Sequence, residues 1–125
     1  MNNTARRQGV ILFAHGSRDP QWRQPMEAVA ERARTLDPHT DVACAYLELT
    51  EPDLPTCAAQ LVQSGVERIT IVPMFLGVGR HAREDLPLLV AELCRTHPSV
   101  EWQLQPAIGE QAAVVDLLAR LAVGA

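Results

Sequence analysis

Gly9-Val10-Ile11-Leu12-Phe13-Ala14-His15-Gly16-Ser17-Arg18-Asp19-Pro20 decides the architecture of this chain. From Gly9 to Ala14 the run is apolar, of strand length, and closed by His15-Gly16. A strand with one wet face alternates apolar and polar residues. An uninterrupted run suits a strand buried on both faces, as in a parallel sheet. Beyond it Trp22, Met26, Val29, Ala30, Ala33 and Leu36 recur at helical spacing, with Asp19-Pro20 as cap and first helical position. Pro25 leaves that start open to adjustment.

The same strand-then-helix phrase recurs down the chain. Asp41 to Leu47 reads as a second strand, followed by a helix with Leu54, Ala58, Leu61 and Val62 inward and Gly65 as its stop. Arg68-Ile69-Thr70-Ile71-Val72 is the most β-branched stretch, and Pro73 should end its regular pairing. Its helix carries Leu86, Leu89, Val90 and Leu93 as core positions. Val100 to Leu104 leads to a last helix expected to turn Val114, Leu117, Leu118 and Leu121 inward. Four βα units with short connections predict an α/β fold: a single-domain, three-layer αβα sandwich over residues 1–125, with a four-stranded parallel sheet of flavodoxin-like type.

Composition narrows the function. A chain of 125 residues, 47% of them hydrophobic, supports one core. A net charge of −4 argues against a nucleic-acid partner, which wants clustered positive charge. All eleven basic residues are Arg, so neither a Schiff-base lysine nor a P-loop lysine is available. Cys44, Cys57 and Cys94 stand apart in apolar patterns and read as reduced core thiols of a cytoplasmic protein. No apolar run reaches membrane-spanning length, and Met1 to Gln8 reads as a short polar lead, so no membrane partner is expected.

In an open parallel sheet, ligands bind beyond the carboxyl ends of the strands. Those ends hold His15-Gly16-Ser17-Arg18-Asp19, then Glu48 and Glu51, then Met74 through His81, then Pro106 to Gly109. His15, Glu48 and His81 thus share one edge, while His39 and His97 fall on the other as exposed turn residues. Imidazole and carboxylate together suit divalent first-row metals and accept protons near neutral pH. Three other readings use the same residues. Gly77-Val78-Gly79-Arg80-His81-Ala82 matches a dinucleotide fingerprint, but after the third strand rather than the first. His15-Gly16 suggests a histidine phosphatase, but Ala14 stands where the phosphate-holding arginine belongs. A non-catalytic metal-binding module needs the same donors and no turnover. Ser17 lacks the surroundings of a nucleophile elbow.

The segments His15 to Pro20, Tyr46-Leu47-Glu48 with Glu51-Pro52, and Pro73-Met74-Phe75-Leu76 through Gly79, His81, Asp85 and Pro87 resemble the small, single-domain CbiX-type chelatases. The resemblance runs from Gly9 to about Gly109 with the motifs in order. It implies a chelatase half-domain that inserts a divalent metal into sirohydrochlorin without ATP. The ion would be Co²⁺ first, in cobalamin biosynthesis, with Fe²⁺ (a siroheme ferrochelatase) or Ni²⁺ as alternatives. Metal and tetrapyrrole are then both substrates, and no organic cofactor is expected.

By the same resemblance His15, Glu48 and His81 are the metal-binding and catalytic residues, meeting at one ion. Arg18, Arg80 and Arg83 are candidates for holding the substrate's carboxylates, each with an alternative as an exposed residue or the partner of Asp19, Glu84 or Asp85. Ser17, Gly77 and Gly79 complete the expected substrate contacts, with Phe75 and Leu76 as apolar surface under the ring or as core. Two-domain relatives form their cleft between two such halves, which implies a homodimer here. Long forms of the family carry a His-rich tail and cluster cysteines, and this sequence shows neither.

Overall fold

The computed structural model describes residues 6–125. Its strands are β1 (Gln8–Ala14), β2 (Asp41–Tyr46), β3 (Arg68–Pro73) and β4 (Glu101–Leu104). Its helices are α1 (Gln24–Leu36), α2 (Leu54–Gln63), α3 (Arg80–Thr96) and α4 (Ala112–Val123). All pairings are parallel, in the order β2-β1-β3-β4. The central strand β1 is the one read as buried on both faces, and Ile11, Leu12, Phe13 and Ala14 are all within 5% exposure.

Local signals act where expected. Asp19 accepts a hydrogen bond from the Gln21 amide at 2.9 Å and caps a short 3-10 turn, Pro20–Arg23. Pro25 then opens α1 from its first turn, so the two prolines divide one entry between two helix types. Asp53, which the sequence reading did not single out, caps α2 through the Thr56 amide at 2.9 Å, and hydrogen bonding to the Thr56 side chain and then to its amide holds the carboxyl below the ordinary carboxylate range. Gly65, at φ +97°, follows the C-cap Ser64. Pro73 is the last residue of β3.

Two apolar layers result. On one face α2 and α3 bury Leu54, Cys57, Ala58, Leu61, Leu86 and Leu93 against Ile11, Phe13, Ala45, Ile69 and Ile71. On the other, Met26 and Ala30 of α1 cover Leu12, Ala14, Val42 and Tyr46. This is the expected αβα sandwich with one correction. α4 covers neither face, and none of its residues is buried. Leu117, Leu118 and Leu121 are 56%, 42% and 69% exposed and Val114 is half-buried, against the expectation that they face inward. Smaller corrections concern three residues. Cys57 is core, but Cys44 is half-buried and Cys94 exposed. His97 is half-buried and lies 6.0 Å from the Trp102 ring, whose Nε1–H donates to its carbonyl at 3.3 Å. Among the described residues no helix is long and apolar enough to cross a membrane.

Candidate active site

The parallel ladder between β1 and β2 continues past both strands. The Leu47 amide donates to the Ala14 carbonyl and the Glu48 amide to the His15 carbonyl, both at 2.9 Å. His15 and Glu48, 33 positions apart, are therefore backbone neighbours. Gly16 makes the approach possible. It sits at φ +102°, and a Cβ there would lie 1.7 Å from the Glu48 carbonyl oxygen. Sequence reasoning missed the residue that fastens the two loops. Thr50 Oγ1 accepts from the Ser17 amide at 2.9 Å and donates to the Ser17 carbonyl at 2.7 Å. The signal was a lone hydroxyl inside the Glu48–Pro52 loop. Leu49, at φ +64°, carries backbone strain between Glu48 and Thr50.

The imidazole of His15 is exposed but seated. Its ring lies 4.5 Å from that of Phe75, tilted by 46°, and Phe75 packs edge-on against Phe13 at 6.3 Å. Phe75, expected as a substrate surface or as core, is 6% exposed; its ring is core and serves as the platform of His15. The next residue, Leu76, is 71% exposed at the same edge. Gly77 and Gly79 have open space where a side chain would be.

Arg80 and His81 belong to the first turn of α3 rather than to the loop. Gly79 is the N-cap and no side chain caps this end, so the first amides of α3 and the positive end of its dipole face the sheet edge. Arg80 is held by Glu84 on the same helix, Nε to Oε1 at 3.3 Å, which is the ion-pair alternative for that residue. Arg18 and Arg83 are exposed, with no carboxylate within 4.0 Å among the described residues. The Ser17 hydroxyl accepts from the Asp19 amide at 3.1 Å and so shapes its own turn.

The three expected ligands do not form a preassembled metal site within one copy. Among the described residues no group of three His, Cys, Asp or Glu side chains could hold one ion. The chain juxtaposes His15 with the Glu48 backbone and leaves His81 on a separate element, beyond a glycine-flanked loop. The concavities near this edge lie to one side of it. One of about 380 Å³ is formed by the Leu47–Asp53 loop with Tyr46 and Thr56. Another of about 710 Å³ runs beside β2 between Arg23, Glu27, Arg34 and Cys44. His15 and His81 line neither, so within one copy their surroundings are an open edge.

Comparison with known proteins gives these positions a context. The chain spans 57% of the sirohydrochlorin cobaltochelatase of Methanopyrus kandleri, to which 81 of its residues, 65% of the chain, are 36% identical. It spans 49% of the chloroplastic sirohydrochlorin ferrochelatase of Arabidopsis thaliana, at 26% identity over 88% of the chain. About half the length of these curated relatives is therefore matched. A solved CbiX protein from Marinobacter aquaeolei VT8 superposes with a TM-score of 0.80 at 37% identity, covering 94% of both chains. The model of the CbiX family matches residues 9–124, from the first apolar residue of β1 to the end of α4, and the chain belongs to that family.

Proposed function

We propose that this protein inserts a divalent metal ion into sirohydrochlorin, with Co²⁺ as the favoured ion and a homodimer as the working unit. The observation that carries the reading is the family match across residues 9–124 together with a seated, solvent-facing His15 beside the Glu48 loop at the carboxyl edge of the sheet. Curated relatives named for cobalt and for iron both match, so a ferrochelatase acting in siroheme synthesis is the second reading. The free thiols Cys44, Cys57 and Cys94 fit a reducing cytoplasm.

The chemistry asks three things of the protein: strip the ion of water, hold the ring with its nitrogen lone pairs accessible, and take away two pyrrole protons. His15 and His81 offer imidazole nitrogens to the ion. Glu48 and an imidazole accept the protons. An ion held by only a few side chains keeps positions open for the ring nitrogens, and a weak protein site lets the product ion leave with the ring. Donor sets in ligand-free sites commonly tighten on binding, so the reading does not require His81 to meet His15 before substrate arrives. Sirohydrochlorin carries eight carboxylates. The uncapped first turn of α3, with Arg18 and Arg83 unpaired among the described residues, supplies local positive character to an acidic protein.

Anaerobic sirohydrochlorin with Co²⁺, Fe²⁺ or Ni²⁺, followed by absorbance with and without enzyme, tests the reading. Accelerated insertion of Co²⁺ above the others is expected. A faster rate with Fe²⁺ selects the second reading, and no acceleration with any ion overturns both. An active monomer by light scattering removes the dimer.

A further inference from the structure

Glu48-Leu49-Thr50 makes a turn that its central residue disfavours. The Thr50 amide donates to the Glu48 carbonyl at 2.8 Å, and Leu49 between them sits at φ +64°. A bond from residue i+2 back to residue i across a positive φ is a γ-turn of the rarer, strained hand. Glycine adopts positive φ freely and asparagine tolerates it, whereas leucine resists it. Leu49 alone does so among the described residues other than glycine.

No packing within this copy offsets that strain. The Leu49 side chain is 52% exposed and belongs to neither apolar layer. The turn itself serves the loop, because the Glu48 carbonyl bonded by Thr50 is the one packed against Gly16. A glycine or an asparagine at position 49 would make the same turn with less strain. What leucine adds is an apolar side chain held out from the loop. A single exposed leucine is ordinary, but one kept in a strained backbone conformation points to a contact outside the chain.

Its neighbours at this edge are of the same kind. The β1–β2 register pairs Ala14 with Tyr46, and the next residues along it are His15 and Leu47. Leu47 is 49% exposed and, with Leu49, lines the concavity of about 380 Å³ in this loop. On the other side of His15, after β3, stands Leu76, 71% exposed. Its backbone is held by Gly109, where a Cβ would lie 2.0 Å from the Leu76 carbonyl oxygen. Three adjacent strand ends, about 10 Å across, thus place exposed leucines on both flanks of one imidazole. That span is on the scale of a tetrapyrrole core, which is flat and apolar on its faces and carries its charges on its rim.

We propose that Leu49 is a substrate-contact residue, its side chain held by the γ-turn against one face of the tetrapyrrole so that the ring stays beside His15 and Glu48. The inference rests on the chelatase reading given above and deepens it by naming a ring contact on the β2 side. Charge supports apolar contact there. Glu48, Glu51 and Asp53 line the same concavity and would repel the carboxylates of the substrate's rim, so this side of the edge holds the ring by its face.

Leu49→Asn in the full chain tests this, because asparagine is close to leucine in size, tolerates positive φ and is polar. The variant should keep or raise the urea midpoint. It should bind metal-free sirohydrochlorin about tenfold more weakly under anaerobic conditions, followed by fluorescence polarisation of the pigment. KM for the pigment should rise by a similar factor and kcat should change by less than about twofold, since His15 and Glu48 keep their backbone places. Leu49→Met restores an apolar contact and should bind within about threefold of the parent. Ring binding by Leu49→Asn equal to that of the parent overturns the proposal, as does a Leu49→Met variant as weak as Leu49→Asn. A dimer weakened in sedimentation equilibrium by the same factor as ring binding means that a second copy covers Leu49, and overturns it too. In each of these outcomes the parent still inserts metal. A parent that neither binds sirohydrochlorin nor accelerates insertion overturns the chelatase reading itself, and this inference with it.

Discussion

The Glu48 carbonyl oxygen occupies the place where Gly16 would carry a Cβ; the two would be 1.7 Å apart. Gly16 also sits at φ +102°, a conformation that side chains disfavour. Two separate constraints therefore fall on one residue, and both serve a single contact, that between the loop after β1 and the loop after β2. His15 and Glu48 flank it on either chain segment. The spacing of the two backbones that carry the proposed metal donor and the proposed proton acceptor is thus set by this packing.

Gly16→Ala should separate those loops. Strain at positive φ and a clash with backbone rather than with a flexible side chain together predict a loss of about 2–4 kcal/mol in urea unfolding. Insertion should fall further than the folded fraction does, because the surviving molecules hold His15 and Glu48 apart. A variant as stable and as active as the parent would show that the contact is absent in solution.

Thr50 fastens the same loops from the other side. Thr50→Val keeps the shape but removes both hydrogen bonds to Ser17, leaving the Ser17 amide without its acceptor. A cost of about 1–3 kcal/mol follows. Thr50→Ser keeps the hydroxyl and should recover most of it. Equal urea midpoints for the Val and Ser variants would mean that the hydroxyl bonds contribute nothing.

His15 and Phe75 separate chemistry from support. His15 is exposed, so His15→Ala should leave the thermal midpoint nearly unchanged while slowing insertion by about a hundredfold. Phe75 is 6% exposed between Phe13 and His15, so Phe75→Leu should cost about 1–2 kcal/mol. It should lower kcat more than it raises KM, since it moves a donor and not the substrate contacts. A His15→Ala enzyme with full activity would remove His15 from the mechanism.

The sheet was legible because its signals are local and redundant: the double-sided apolar run of β1, the β-branched run of β3 and Gly65 after α2. The edge proposed to carry the site followed from strand polarity. The fate of α4 was not legible. Amphipathic spacing states that a helix buries its stripe somewhere, and the spacing of Val114, Leu117, Leu118 and Leu121 would be the same whether the cover came from this copy or another. Phe75 was left between ring surface and core for a related reason, since an aromatic at a strand end faces core or ligand according to a turn that periodicity does not encode. Thr50 and the Gly109–Leu76 contact escaped because each depends on two loops meeting, and nothing within either loop announces the other.

Burial makes alkali the sensitive direction for this fold. It pushes the Cys57 thiol from its ordinary 9.0 up to about 11. Burial, reinforced by the neighbouring Cys44, pushes the Tyr46 phenol from 10.0 up to about 12. In both cases the folded protein favours the protonated form, so the unfolded chain releases its protons first. The stability tied to Cys57 is complete below pH 9.0 and is lost as pH rises through about 11, with Tyr46 following between 10.0 and about 12. Urea unfolding free energies should be nearly level from neutrality to pH 9.0 and fall steeply above it, by about 2–3 kcal/mol for each group across its window. Cys57→Ala lowers stability at neutral pH by leaving a small void, yet it should flatten the first part of the alkaline fall. A parent and a Cys57→Ala variant with parallel profiles between pH 9.0 and 11 would show that this thiol does not couple ionisation to folding.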